Sequence, residues 1–432
     1  MKTPMLRMLR ACLLCLVGLL AGCDAAITAV EPNPVLVTLP VGTLTPTETL
    51  PPSPTLEMTP TPTVVSPVIT ASAPSGIAAT HLLWEWSQVG RPTAAAVGGR
   101  RIAALLADGR FAWLDTDSGR IEANSFLWPG ILEGDTTGEV YTDGVLAVIA
   151  AQEISVGSGG AAQSRTQLVV YDSGANKLWS LPQLGSGRFY TACVTGDAVI
   201  TGTWPYGYWD NALAAYDLFT GEQIWRTNLN QIGFEQIICS QGTLLALLND
   251  RQTNAVAAFD RRSGEELWRW SDEEATPPDR ILLHDGRVFA AAVDGLTALD
   301  LTTGRPVWRL GLDIASAAGV ALLDDRLFLA PAPTVEMGFR PGVIGINTVD
   351  GALAWHSLIG LVADPVAAGQ TTLWVIGKDY DAGFVTLSGL EADTGLERVR
   401  LSINSRPDEL VKLVTDGDRV YVLGATLQAY GY

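Results

Sequence analysis

The residue types best suited to recognition gather in three short stretches. Trp204-Pro205-Tyr206-Gly207-Tyr208-Trp209 places four aromatics in six positions, and Phe339, Arg340, Tyr380 and Asp381 stand in two further stretches. Clustered Trp and Tyr dominate contact hot spots and form platforms for sugars. These eight positions are therefore expected to bind a partner or ligand. Catalytic chemistry has less to work with. His81, His284 and His356 are the only histidines, and none stands in a Ser/His/Asp or Cys/His context. Of the five cysteines, Cys12 and Cys15 lie in an apolar N-terminal run. Downstream of that run there is no CxxC pair, no HExxH and no Cys/His cluster. Neither a metal site nor a catalytic residue is expected.

Charge narrows the partners further. The formal net charge is −18, and Lys2, Arg7 and Arg10 all fall in the acid-free first 22 residues, so the chain from Cys23 onward stands at −21. A field of that sign repels phosphate backbones, which excludes nucleic acid as a partner. Charged residues make up only 17% of the chain while glycines number 44. Few charges with many glycines point to stacked, turn-rich β-sheet rather than solvated helices.

The elements that would carry these residues are legible as a repeat. Tyr216-Asp217 runs through Gly221 to Trp225, Phe259-Asp260 through Gly264 to Trp268, and Leu299-Asp300 through Gly304 to Trp308. Ile346-Asn347 through Gly351 to Trp355 keeps the spacing. Degenerate copies run from Asp115 through Gly119 to Ala123 and from Glu391 through Gly395 to Val399, and Asp172 to Trp179 is one residue shorter. In each, an apolar strand end is followed by an Asp that opens a tight turn, a Gly that supplies positive φ and a returning strand with the Trp. A second hairpin precedes most copies, as at 286–299, giving four strands per unit. The recurring tryptophans are expected to pack between units.

Such units cannot bury both faces alone, so they must stack, and a closed ring leaves only short edges. Seven turn copies plus a last unit beginning at Gly417 make eight blades over residues 77–432, about 44 residues each. That last unit lacks its Trp strand, whereas Leu82-Leu83-Trp84-Glu85-Trp86 opens the repeats with a strand to spare. The expectation is an all-β, eight-bladed propeller of four-stranded antiparallel blades, closed by the N-terminal strand. Connections between second and third strands emerge on one face. They are tight at Asp108-Gly109, Asp294-Gly295 and Gly424-Ala425, but 152–165, 203–211, 331–341 and 378–383 read as loop insertions. The eight recognition residues fall within or beside these insertions. Cys193 and Cys239 occupy equivalent positions on the inner strands of adjacent blades and are expected to be two buried thiols, because such strands can lie beyond the ~7 Å Cα limit of a disulfide.

The Asp-to-Trp turn resembles the quinoprotein-type (PQQ-like) propeller repeat across the whole of 77–432. WD40-like repeats share the architecture but not these strand ends. Quinoprotein dehydrogenases hold their quinone with a vicinal Cys pair, a stacking Trp and calcium bound by Glu, Asn and Asp. No two cysteines are adjacent here, so PQQ with calcium is disfavoured and no cofactor is expected. The chain also resembles the propeller lipoprotein of the outer-membrane barrel-assembly machinery, and that resemblance implies a scaffold with a protein partner in the cell envelope. A PQQ-dependent dehydrogenase-like enzyme or a carbohydrate-binding sensor head is the alternative.

The N-terminus supplies an address. Residues 1–22 combine a basic start with an apolar run too short to span a bilayer, as in a signal peptide. Leu20-Ala21-Gly22-Cys23 resembles the bacterial lipobox, which implies diacylglycerol on the Cys23 sulfur and a mature chain held to the membrane on its extracytoplasmic side, periplasmic or at the cell surface. Positions 24–76 then hold 11 Pro, 11 Thr and no Lys or Arg. This composition disfavours regular structure and favours an extended tether. Its reach is roughly 160 Å as polyproline II and about 40 Å as a flexible coil.

Overall fold

The structure is a computed structural model, and it describes residues 68–69, 80–86, 90–128, 135–156, 162–183, 188–204, 211–229, 232–240, 242–249, 254–272, 276–312, 317–331, 342–357, 366–368, 371–379, 382–406 and 411–431. The chain divides into two units, Met1–Pro62, which lies wholly outside these residues, and Thr63–Tyr432.

The second unit is a set of eight antiparallel sheets. Blade one is Pro92–Gly98, Arg101–Leu106, Arg110–Asp115 and Ile121–Phe126. Blade two is Asp135–Thr142, Ala147–Val156, Ala162–Tyr171 and Lys177–Gln183, and blade three is Arg188–Val194, Ala198–Trp204, Ala212–Asp217 and Gln223–Asn228. Blades four to seven follow in the same order. The first strands of neighbouring blades lie against one another at the centre. The fourth strands form the rim, where residues such as those of Ile121–Phe126 and Pro306–Gly311 are mostly exposed. Second and third strands are buried on both faces, and their side chains interleave with those of the next blade. In blade four, Leu245 and Leu247 face Val288 and Leu299 of blade five, while Leu244 and Leu248 face blade three. This is why these strands read as unbroken Ala, Leu and Val runs rather than alternating ones.

Blade eight closes the ring as expected. Lys412–Thr415, Val420–Leu423 and Leu427–Gly431 are completed by His81–Trp86, which pairs antiparallel with Leu427–Gly431. Glu85 fixes the register by accepting hydrogen bonds from Thr426 Oγ1 (2.8 Å) and Gln428 Nε2 (3.1 Å). Blade six carries a fifth strand, Val68–Ile69, added in parallel to its outer strand Leu353–Ser357. Two of the expected insertions prove to be longer hairpins instead. Residues 152–156 pair with 162–166, and Lys378 and Asp379 pair with Val385 and Phe384.

One contact repeats around the ring. The Trp225 indole of blade three lies on Gly264 in the third-to-fourth turn of blade four, and its Nε1 donates to the Arg261 carbonyl (2.9 Å). Trp84, Trp179, Trp268, Trp308 and Trp355 do the same on Gly119, Gly221, Gly304, Gly351 and Gly395 of the following blade, with Nε1 donated to Thr116, Leu218, Leu301, Thr348 and Ala392. A bulge one residue before these tryptophans aims the ring out of its own sheet, and in five blades the cross-strand partner is small: Ala215, Ala258, Ala298, Gly345 or Ala429. Gly264 has φ of 71°, and a Cβ there would stand 2.5 Å from the Trp225 ring. Only glycine meets both conditions.

Blade one inverts the arrangement. Ala123 stands where a Trp is expected, and its cross-strand partner Trp113 makes the contact instead, donating to the Asp172 carbonyl (2.9 Å) of blade two. That turn is the short one, with Ala175 rather than Gly at φ of 58°. Between blades seven and eight there is no such contact among the described residues. Val399 takes the Trp position, and the third and fourth strands of blade eight come from opposite ends of the ring's sequence, so no turn joins them.

The turns themselves are held by their acids. Asp260 Oδ1 accepts the Arg262 and Ser263 amides (2.9 and 2.8 Å), and Gly264 N donates to the Asp260 carbonyl (2.8 Å). Amide and hydroxyl donors hold these carboxyls below their ordinary range, chiefly the Thr220 amide for Asp217, the Ser263 amide for Asp260 and the Thr303 hydroxyl for Asp300. A carboxyl lowered by folding stabilises the fold above its unfolded pKa, near 3.9, and loses that contribution as pH falls through the folded value. Stability should therefore fall below about pH 4, and the triple variant Asp217→Asn, Asp260→Asn, Asp300→Asn should flatten that fall in acid titrations followed by tryptophan fluorescence. Trp225→Ala should cost about 3–5 kcal/mol through lost burial. Gly264→Ala should cost roughly 1–3 kcal/mol through backbone strain. Both losses are readable from urea unfolding midpoints.

Candidate functional site

The structure leaves the recognition residues read from the sequence largely untested. Cys23, Tyr206, Tyr208, Trp209, Phe339, Arg340, Tyr380 and Asp381 lie outside the described residues. For Trp204 only the backbone is described, as the last residue of Ala198–Trp204, paired with Arg188.

The two downstream cysteines are corrected by the geometry. Cys193 and Cys239 are not free thiols but a disulfide, with a Cα–Cα distance of 5.7 Å. Convergence of the first strands at the centre explains the difference. Equivalent positions on Arg188–Val194 and Gly233–Cys239 come inside the ~7 Å limit there, whereas rim positions diverge. The bridge joins blades three and four at their inner ends.

A cavity opens beside this bridged region, on the face that carries the first-to-second and third-to-fourth turns. It has a volume of about 440 Å³, and its lining includes Ala96 of blade one, Val140, Leu146 and Val148 of blade two, and Val194 and Leu218 of blade three. Its polar residues are Tyr141, Thr142, Asp143 and Thr195. Each is fixed. Tyr141 donates to Glu139 (2.5 Å) and contacts Thr191 across the blade boundary, and burial is the main cause that pushes its phenol far above the usual range. Asp143 Oδ1 accepts the Val145 and Leu146 amides (2.8 and 2.7 Å), and Thr142 Oγ1 donates to the Leu146 carbonyl (2.6 Å). Arg261 reaches over from blade four to donate to Thr195 Oγ1 (2.6 Å) and Asp197 Oδ1 (3.0 Å). The cavity is thus apolar inside with a pre-formed polar edge, the usual make-up of a binding pocket. Sequence reading missed it, because its walls come from three blades and no stretch of chain stands out.

Comparison with known proteins follows from this geometry. A family model described as outer membrane protein assembly factor BamB matches residues 164–290 and 252–430. The chain belongs to this family. Among solved structures it is similar to BamB from Moraxella catarrhalis, at 17% identity and a TM-score of 0.58, covering 82% of this chain and 100% of that one. It is similar to Sqt1 of Saccharomyces cerevisiae at 10% identity and a TM-score of 0.57, covering 83% and 99%. It is also similar to the quinohemoprotein alcohol dehydrogenase ADHIIG from Pseudomonas putida HK5 at 12% identity and a TM-score of 0.53, covering 82% and 76%. At these identities the likeness establishes the fold alone. No curated protein matches the sequence.

The dehydrogenase likeness raises the question of a quinone, and the vicinal cysteine pair that holds one in those enzymes has no counterpart in this sequence. Cys193 and Cys239 are 46 residues apart and bridge two blades, so they form no vicinal ring. Among the described residues no group of three or more His, Cys, Asp or Glu is placed to hold a metal.

Closing a loop of this length by a disulfide stabilises by about 4 kcal/mol in the chain-entropy account. Reductant should therefore lower the unfolding free energy by up to that amount, and the double variant Cys193→Ser, Cys239→Ser should show the same loss with no further response to reductant.

Proposed function

We propose that this chain is a lipid-anchored, extracytoplasmic β-propeller that scaffolds or binds a protein partner of the cell envelope. In this reading residues 1–22 are a lipoprotein signal peptide, 23–76 are the lipidated Cys23 and its tether, and 77–432 are the propeller. No cofactor is required. Membership of the family described as outer membrane protein assembly factor BamB carries the reading.

Two independent features support it. The bridge between Cys193 and Cys239 requires an oxidising compartment, which the cytosol does not provide. The basic start, short apolar run and Cys23 supply the route there, and two acyl chains or more hold a protein stably where one is marginal.

Cys23→Ser should shift the protein from the membrane to the soluble fraction of fractionated cells. Photocrosslinkers placed on the two faces of the ring in intact cells should yield discrete protein adducts. Dye-linked alcohol oxidation by the purified chain on addition of PQQ and calcium would overturn the scaffold reading in favour of an enzyme.

A further inference from the structure

The cavity between blades one, two and three has large exposed apolar side chains on its rim. Val145 and Phe219 are 61% and 58% exposed, two of the three most exposed large apolar side chains among the described residues. Each is the chain neighbour of a residue lining the cavity, Leu146 and Leu218 respectively. Leu178 and Ile224, also exposed, stand on the same two blades, but theirs is the bulge position that Leu267 and Val307 expose elsewhere. Val145 and Phe219 stand in turns instead. The position of Phe219 in the repeat is taken by Asp117, Arg262, Thr302 and Asp393 in four other blades and by the equally exposed Val349 in blade six, so what sets Phe219 apart is the cavity beside it. A folded protein keeps large apolar side chains in water beside a pre-formed apolar hollow chiefly where something docks.

The charges around this hollow select the partner. Asp143, Asp172 and Asp217 stand in the turns of blades two and three. Asp172 and Asp217 are held below their ordinary range by hydrogen bonds, from the Asn176 side chain and the Thr220 amide first, with no cation among the causes. Asp197 is the one rim acid joined to a cation, Arg261, whose guanidinium is also engaged by Thr195. Lys177 and Arg226 stand on the outer strands of these blades, and Arg101 of blade one, which donates to the Ser173 carbonyl in the blade-two turn, is paired with Glu122. The edge is therefore net acidic around an apolar centre. Such a surface repels anionic lipid headgroups and suits a protein segment that inserts an apolar side chain between basic neighbours.

We infer that the turn face of blades two and three, centred on Val145, Phe219 and the cavity between them, is the seat for a partner segment bearing a large apolar residue flanked by Lys or Arg. This rests on the scaffold reading and names its surface, on the face opposite the second-to-third strand ends such as those of Ala198–Trp204 and Ala212–Asp217. The fixed partners of Tyr141, Thr142, Asp143 and Thr195 mean that the seat forms before the partner arrives, which lowers the ordering cost of binding.

The test uses the full chain in detergent and a fluorescent peptide with a central Trp-Leu flanked by two lysines on each side, read by anisotropy. It should bind saturably, and about ten-fold more tightly than its glutamate-flanked counterpart. Phe219→Glu and Val145→Glu should each weaken it about ten-fold with an unchanged melting temperature, as exposed positions allow. Val349→Glu, equally exposed but on blade six, should leave binding as it was. The inference is overturned by absent or non-saturable binding, by equal binding of the two peptides, or by equal loss at Val349. Crosslinkers in cells separate this surface from the broader reading. Adducts from the loop face but not from Phe219 or Val145 would remove the seat and leave the scaffold, whereas adducts from neither face would remove both.

Discussion

An indole lying flat on a backbone that has no Cβ joins six of the eight blades of this protein to the next. The contact combines two requirements that rarely coincide. The turn must enter the left-handed region, and its surface must be bare enough for an aromatic ring to reach the peptide plane. Glycine alone satisfies both, and the indole then donates its one hydrogen to a carbonyl that the tight turn leaves without an internal partner. The turn-opening Asp, the bulge before the Trp and, in several blades, the small residue opposite it all serve that geometry. Blades with little else in common are thereby joined by one repeated contact.

The departures show how the same constraint is met by other means. Between blades one and two the aromatic residue moves to the neighbouring strand, Trp113 for Ala123, and Arg101 lies 5.6 Å from its ring. The pair is exchanged and the interface is kept. Between blades seven and eight no turn exists to receive a ring, and the junction is filled by apolar packing among Trp374, Leu387, Val399, Leu413 and Val422. The disulfide between blades three and four adds a covalent link at the inner end of a junction that already has its Trp at the outer end. That junction lies next to the cavity whose edge Arg261 fixes.

Much of this fold could be read from residue spacing. Asp, Gly and Trp at fixed intervals gave the turns, their number gave the blades, and Leu82-Leu83-Trp84 gave the closing strand. What spacing could not give was distance between strands remote in sequence. Cys193 and Cys239 could be placed on equivalent strands, but their separation depends on how sharply first strands converge. The substitution of Trp113 for Ala123 needed the register across a bulge. Positions 152–165 read as a loop insertion, yet 152–156 and 162–165 continue the hairpin. The cavity was invisible for the same reason, since Val140, Val194 and Leu218 become neighbours only once three blades stand side by side. The aromatics around Trp204 remain a reading of composition alone.

The closing strand also fixes the order of assembly. His81–Trp86 leaves the ribosome before any complete blade, yet its partner Leu427–Gly431 is made last of the whole ring. During that interval the strand has no sheet, and the sheets already formed have no closed circle to hide their ends. Pairing across the full length of the sequence is slow because the chain must find itself at long range. Until that tail is present the ring has an open end, and the first strand of the repeats has nothing to pair with.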